Sequence, residues 1–371
     1  MRFADDVAAP ESDDWADWLA YADALTAAGD PRGAAIHAEH RGEPDYAEAE
    51  RELGLDGPRA EGSWRFTWSR GFIDRAAFRL SAEGTARRRE LVTDAGDRAD
   101  PERWEAALVE LLLTHPAAAR LAALELRLTD YHHSAARAAR ALARRSWPRL
   151  TSLSLGHDYE ILFALHETST GNRINPEKYL HDPVIPAEAG AALWLALPAL
   201  RIELEGAFLL DDLDHETLTG LRTRGSVFAD GSLFAFSTPA LTSLEVEIDH
   251  DVHGTLATNV QLEELSPQRF PALSRLDLSR AFFEPEEGAD LVVLAAHPIL
   301  PRLRNLAIRD LVIEDVPEPL ELLAGLAPRF AHLDLRIAGD IAIAGAADGE
   351  AERVLAAHGL GWHGDDEASR P

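Results

Sequence analysis

Apolar positions recur along this chain in one short figure, Pro-x-Leu/Phe-x-x-Leu-x-aliphatic. It stands at 148–155, 239–246, 271–278, 301–308 and 328–335, with weaker copies at 119–126 (Ala119 for the proline) and 198–204 (one residue short). In each copy the leucines alternate with other residues, as a short strand with one buried side requires. Successive copies start 29, 50, 41, 32, 30 and 27 residues apart. Most of those spacings suit one strand and one helix per unit. Apolar periodicity predicts helices in the intervals at 134–145, 187–197, 288–297 and 319–326. The expected fold is α/β: a solenoid with parallel strands on its concave face and helices or loops outside.

Ahead of the array, Trp15, Trp18, Leu19, Ala22 and Leu25 fall at helical spacing within 13–29. Gly29 ends that helix, and Asp30-Pro31 restarts the chain into helices at 31–39 and 45–53. Asp30 is read as an N-cap, with Arg32 paired to a nearby carboxylate. Residues 64–68 and 72–80 alternate as two pairing strands. A helix at 101–114 should turn Trp104, Leu108, Leu111 and Leu112 to the core. The implied organisation is a helical domain at 1–65, then a strand pair and helix capping the array at 66–115. About seven units follow at 116–345, with a C-terminal helix and polar tail at 346–371.

Tyr21-Ala22-Asp23-Ala24-Leu25, Ala28-Gly29-Asp30-Pro31-Arg32-Gly33 and Ile36 together resemble the repeat-companion domain of bacterial leucine-rich-repeat proteins. The likeness covers about residues 12–42 and departs at Ala24, where that family usually has tryptophan. It implies a helical cap followed by leucine-rich repeats and brings no catalytic residue with it. Typical repeats place an asparagine three residues after the last strand leucine. Here those positions hold Thr129, Asp158, Ala207, Asp249, Ala281, Leu311 and Ala338, so an asparagine ladder is absent and the array is irregular.

Strand parity selects the outward residues. They include Glu125, Arg127, Ser152, Ser154, Arg201, Glu203, Glu205, Ser243, Glu245, Glu247, Arg275, Asp277, Asn305, Arg309, His332, Asp334 and Arg336. Glu203, Glu205, Glu245, Glu247 and Asp277 are expected on three neighbouring strands. Stacked like charges cost stability there, which points to a basic protein partner. Seven strands span roughly 30 Å, enough for a standard interface. The candidate binding set is Glu125, Glu203, Glu205, Glu245, Glu247, Asp277, Arg309, Asp334 and Arg336. The stretches 156–186 and 216–238, the second carrying Arg222, Arg224, Phe228, Phe234 and Phe236, are candidate contact loops, with disorder or a place on the convex side as competing readings.

Charge and composition narrow the chemistry. The formal net charge of -28 opposes binding to nucleic acid or an anionic membrane. Without cysteine there are no disulfides or thiolate metal sites, and a cytoplasmic location is expected. No cofactor is implied. Asp249, His250, Asp251 and His253 have the donor types for a divalent metal if their loop curls, against the alternative of a polar turn. His37 and His40 carry the same pair of readings. The segment Gly359-Leu360-Gly361-Trp362-His363-Gly364 matches a dinucleotide fingerprint only formally, since no helix follows it. No phosphate loop or nucleophile elbow occurs. The leading expectation is a non-enzymatic scaffold. The alternatives are a metal-dependent enzyme built around 249–253 and 156–186, and a regulatory subunit contacting through its N-terminal helices.

Overall fold

The computed structural model describes residues 8–52, 55, 64–79, 104–128, 135–157, 187–198, 201–205, 213–224, 234, 236–248, 262, 264–281, 290–314 and 316–361. It is a mixed α/β protein whose strands are mostly parallel. Two compact units make it up: Met1–Ile174 with Ala196–Pro198, and Asn175–Leu195 with Ala199–Pro371. The division falls inside the stretch expected as one array, in the long interval between the copies at 148–155 and 198–204.

The first unit opens with helices α1 (Trp15–Ala27), α2 (Arg32–His40) and α3 (Ala47–Glu52). The Gly29–Gly33 sequence makes the corner between α1 and α2, and each residue has a physical task. Gly29 takes φ +76°, where a side chain is strained. Its amide donates to the Thr26 carbonyl, and the Asp30 amide donates to Leu25, which together close a Schellman motif. The Asp30 carboxylate accepts the Arg32 amide at 3.0 Å and meets the Arg32 guanidinium at 2.6 Å. The pairing expected for Arg32 is thus with Asp30 itself, and both residues are buried. A Cβ at Gly33 would lie 2.5 Å from the Ala22 carbonyl oxygen, so glycine sets how closely the two helices cross.

Strands β1 (Trp64–Ser69) and β2 (Phe72–Arg79) pair antiparallel through a turn at Arg70 and Gly71, both at positive φ. Such a two-residue turn matches the twist of its strands. Phe72 joins Trp18, Tyr21, Ala22, Leu25 and Ile36 in one core, with Ala119 packed against it. Helices and hairpin therefore share a core across residue 65, where a boundary was expected. Helix α4 (Trp104–Thr114) buries Leu108 and Leu112 as expected. Leu111 does not follow them: it is 45% exposed, one step round the helix from the buried stripe. A short 3-10 turn (Pro116–Arg120) leads to β3 (Ala123–Leu128), helix α5 (Ala135–Ala143) and β4 (Ser152–His157). β2, β3 and β4 run parallel in sequence order.

The second unit has helix α6 (Ala187–Ala196) and strands β5 (Arg201–Glu205), β6 (Gly220–Arg224), β7 (Ser243–Ile248), β8 (Arg275–Ala281) and β9 (Asn305–Ile308). Helix α7 (Asp290–Ala296) lies between β8 and β9. Then come β10 (Leu311–Ile313), α8 (Pro319–Phe330), β11 (Asp334–Ile337), β12 (Ile341–Ile343) and α9 (Glu350–Ala357). Strands β5 to β9 pair parallel in chain order, β11 follows β9, and β10 pairs with β12. All seven copies of the leucine figure end on strands, and their described leucines line the core.

Successive strands are tied together just ahead of their first residues. The Thr219 carbonyl accepts the amides of Thr242 and Ser243, and Thr242 in turn accepts those of Ser274 and Arg275. The Thr242 and Ser274 hydroxyls add bonds of 2.9 and 3.2 Å to the same carbonyls. Arginines supply a second tie: Arg329 donates to the Ala295 carbonyl at 2.8 Å, satisfying an otherwise open acceptor at the end of α7. In the first unit Arg145 does the same for Leu113 at 2.9 Å, at the end of α4. Histidines cap the turns. Nδ1 of His115, His215 and His297 each accepts the amide two residues on, at 3.1, 3.3 and 3.2 Å.

Breaking one half of the buried Asp30–Arg32 pair leaves a charge without its partner. Arg32→Met should cost about 3–5 kcal/mol, and Asp30→Leu/Arg32→Met less than Arg32→Met alone. Urea unfolding of the three chains checks the order.

Candidate functional site

The rows of side chains across the parallel strands are set by register. In the second unit one row runs Glu203, Arg222, Glu245, Asp277, Ala307 and Arg336. The next runs Glu205, Arg224, Glu247 and Arg280, a bulge in β8 having brought Arg280 opposite Glu247. The strand beside both β5 and β7 is β6, which carries Arg222 and Arg224. The expectation that Glu203, Glu205, Glu245, Glu247 and Asp277 occupy three neighbouring strands is therefore corrected. A basic strand separates the first two from the rest, and along the rows charge mostly alternates.

Arg222 is the hub. Its guanidinium lies 3.7 Å from Glu203, 3.0 Å from Glu245 and 3.5 Å from Glu247. Glu247 also meets Arg280 at 3.2 Å. Apart from the exposed Arg280, these side chains are half-buried, so their mutual screening by solvent is incomplete. Asp277 accepts from the Ser279 amide and hydroxyl at 3.1 and 2.6 Å, with Arg275 3.5 Å away. Along the described rows of the second unit, the like-charged pair in register is Glu245 against Asp277.

The other expected site residues are spread out. Glu125 stands in the first unit, opposite Ala77 and Ser154, with Arg127 at 3.6 Å. Arg309 is past the end of β9 and pairs with Asp310 at 3.5 Å, because Ala307 takes the row position opposite Arg336. Asp334 accepts from Asn305 at 3.0 Å. Glu205 shares its row by backbone register alone.

The stretch 216–238 is not simply a contact loop. Residues 216–223 are a further copy of the leucine figure, with Glu216 for the proline and Thr223 for the final aliphatic. Leu218, Leu221 and Thr223 are buried. Phe234 and Phe236 are core residues too, Phe236 lying edge-on to Phe270 at 5.0 Å. The signal available in the sequence was the Leu218–Leu221 spacing, hidden by a polar residue at the last core position.

Among the described residues no group of three His, Asp or Glu side chains is placed to hold a metal ion. His37 binds Asp23 at 2.9 Å while His40 packs on the Trp15 ring, so the two do not converge. Residues 249–253, 158–186 and Phe228 lie outside the described residues. Gly359, at φ +74°, follows α9 rather than opening a helix. No described helix is long and apolar enough to cross a membrane. Compared with known proteins, the chain matches no family model, no curated sequence and no solved structure.

Removing the hub cation sets three carboxylates against each other. Arg222→Met should cost roughly 1–2 kcal/mol, a sum of cross-strand pairs. Arg222→Glu should cost more. Thermal melts in low salt and in about 1 M salt check this, with part of the loss recovered at high salt.

Proposed function

We propose that this chain is a non-enzymatic protein-binding scaffold, cytoplasmic, in which a helical repeat-companion-like region leads into a leucine-rich-repeat-like solenoid. Its partner is a protein with basic side chains, received on the outward, concave rows of the strands. The observation that carries this reading is the in-register lattice of charged positions on β5 to β8. Its members are five carboxylates (Glu203, Glu205, Glu245, Glu247, Asp277) and three arginines (Arg222, Arg224, Arg280). Like charges directly opposite one another destabilise a sheet. The remaining Glu245–Asp277 contact is relieved when a partner's cation sits between them, while the flanking arginines restrict which surfaces fit. The net charge of -28 adds long-range attraction for the same class of partner.

Affinity capture from native lysate tests the reading, comparing the natural chain with Glu245→Arg/Asp277→Arg after melting curves have matched the two. Capture of the partner should fall by about tenfold or more. An unchanged set of partners would sink the proposal for this face.

A further inference from the structure

Before α1 the chain crosses the aromatic face formed by Trp18, Tyr21 and Phe72, with Ala9 packed against it. Three polar ties hold this strap. Arg120 Nη1 donates to the Pro10 carbonyl at 2.6 Å, Trp18 Nε1 to the Ser12 carbonyl at 2.8 Å, and Arg70 Nη1 to the Asp13 carboxylate at 3.1 Å. The cations are themselves seated on aromatics. Arg70 stands 5.1 Å from the Trp15 ring and 5.3 Å from Trp18, and Arg120 stands 4.9 Å from Trp18 and 5.7 Å from Phe72. Burial, with the positive charge of Arg149 and Arg70 nearby, holds the Arg120 guanidinium below its ordinary pKa. In a chain of net charge -28, arginines thus converge on one aromatic surface.

What the strap contributes is generic. Two of its three ties are backbone carbonyls, and the third is a carboxylate that is 96% exposed. Glu11 and Ser12 are exposed as well. Nothing in those contacts requires the chain's own residues. An extended segment with a carboxylate three residues beyond its first bonded carbonyl satisfies them equally. We infer that this face is a docking site for an extended acidic segment of a partner protein, and that residues 9–13 occupy it in cis as a displaceable strap. The inference is independent of the sheet-face reading, since it uses other residues and an oppositely charged ligand. A tethered segment acts at an effective concentration on the order of millimolar, so a ligand in trans competes weakly until the strap is loosened.

The probe is a fluorescent peptide of the strap's own sequence, Ala8-Ala9-Pro10-Glu11-Ser12-Asp13-Asp14, titrated against the full chain. Glu11→Lys/Asp13→Arg repels the strap from Arg120 and Arg70, and a chain lacking residues 2–13 removes it. At least one of these chains, folded by circular dichroism, should bind the peptide about tenfold more tightly than the natural chain. Adding Arg70→Ala/Arg120→Met should abolish that gain, and salt should weaken the binding. Equal binding to the natural and both altered chains, or no gain in either, overturns the inference. So does equal binding of a peptide with its three acids changed to lysine. If the natural chain or the strap-released full chain self-associates and the peptide does not dissolve the dimer, the occupant is a second copy, and the partner assignment fails.

Discussion

Just ahead of β3, β6, β7 and β8 a backbone carbonyl accepts two amides at the start of the next strand, and this shared acceptor keeps neighbouring strands in step. Ala122 does so for Thr151 and Ser152 in the first unit. Thr219, Thr242 and Ser274 do so in succession in the second. A slip of one residue would turn every leucine of a strand outward. The hydroxyls of Thr151, Thr242 and Ser274 point to the same carbonyls and reinforce the step. The leucine core and the charged rows both follow from it.

With register held, charge placement becomes a question of which strand lies beside which. Arg222 serves three carboxylates because β6 separates β5 from β7, with Glu203 and Glu245 its register neighbours. The acidity of the outward rows is therefore mostly neutralised within the sheet. Glu245 and Asp277 stay opposite each other in register, each with an arginine of its own nearby. The opposite charge pattern arises at the N-terminal helices, where Arg70 and Arg120 rest on Trp18 and meet a carboxylate and a carbonyl of the chain itself. One acidic chain thus carries a mostly neutralised charged sheet face and an arginine-bearing aromatic face.

Local signals made much of this legible. The Gly29–Gly33 corner could be read because glycine at positive φ and proline are strong short-range punctuation, though the N-cap of α2 is Pro31 and not Asp30 as expected. The helices after the strands lie within a few residues of their expected places. Misreadings came where long-range packing decided. Thr223 took a buried core position, so a whole strand was hidden behind a polar letter. Phe234 and Phe236, expected in a candidate contact loop, fill the interior, Phe236 beside Phe270. The histidine caps at His115, His215 and His297 escaped notice because a lone histidine before a turn has no distinctive spacing.

By itself the sequence determined the repeating strand figure, its buried leucines, the helices between copies and the cap-and-corner chemistry of the first forty residues. Those depend on contacts within a few residues or on the alternation of a single strand. Only the tertiary structure decided that Arg222 stands among Glu203, Glu245 and Glu247, that Asp30 is paired while buried, and that the first helices share a core with Phe72. Each of these is set by which segments become neighbours in space. Alternation along one strand carries no information about the strand beside it.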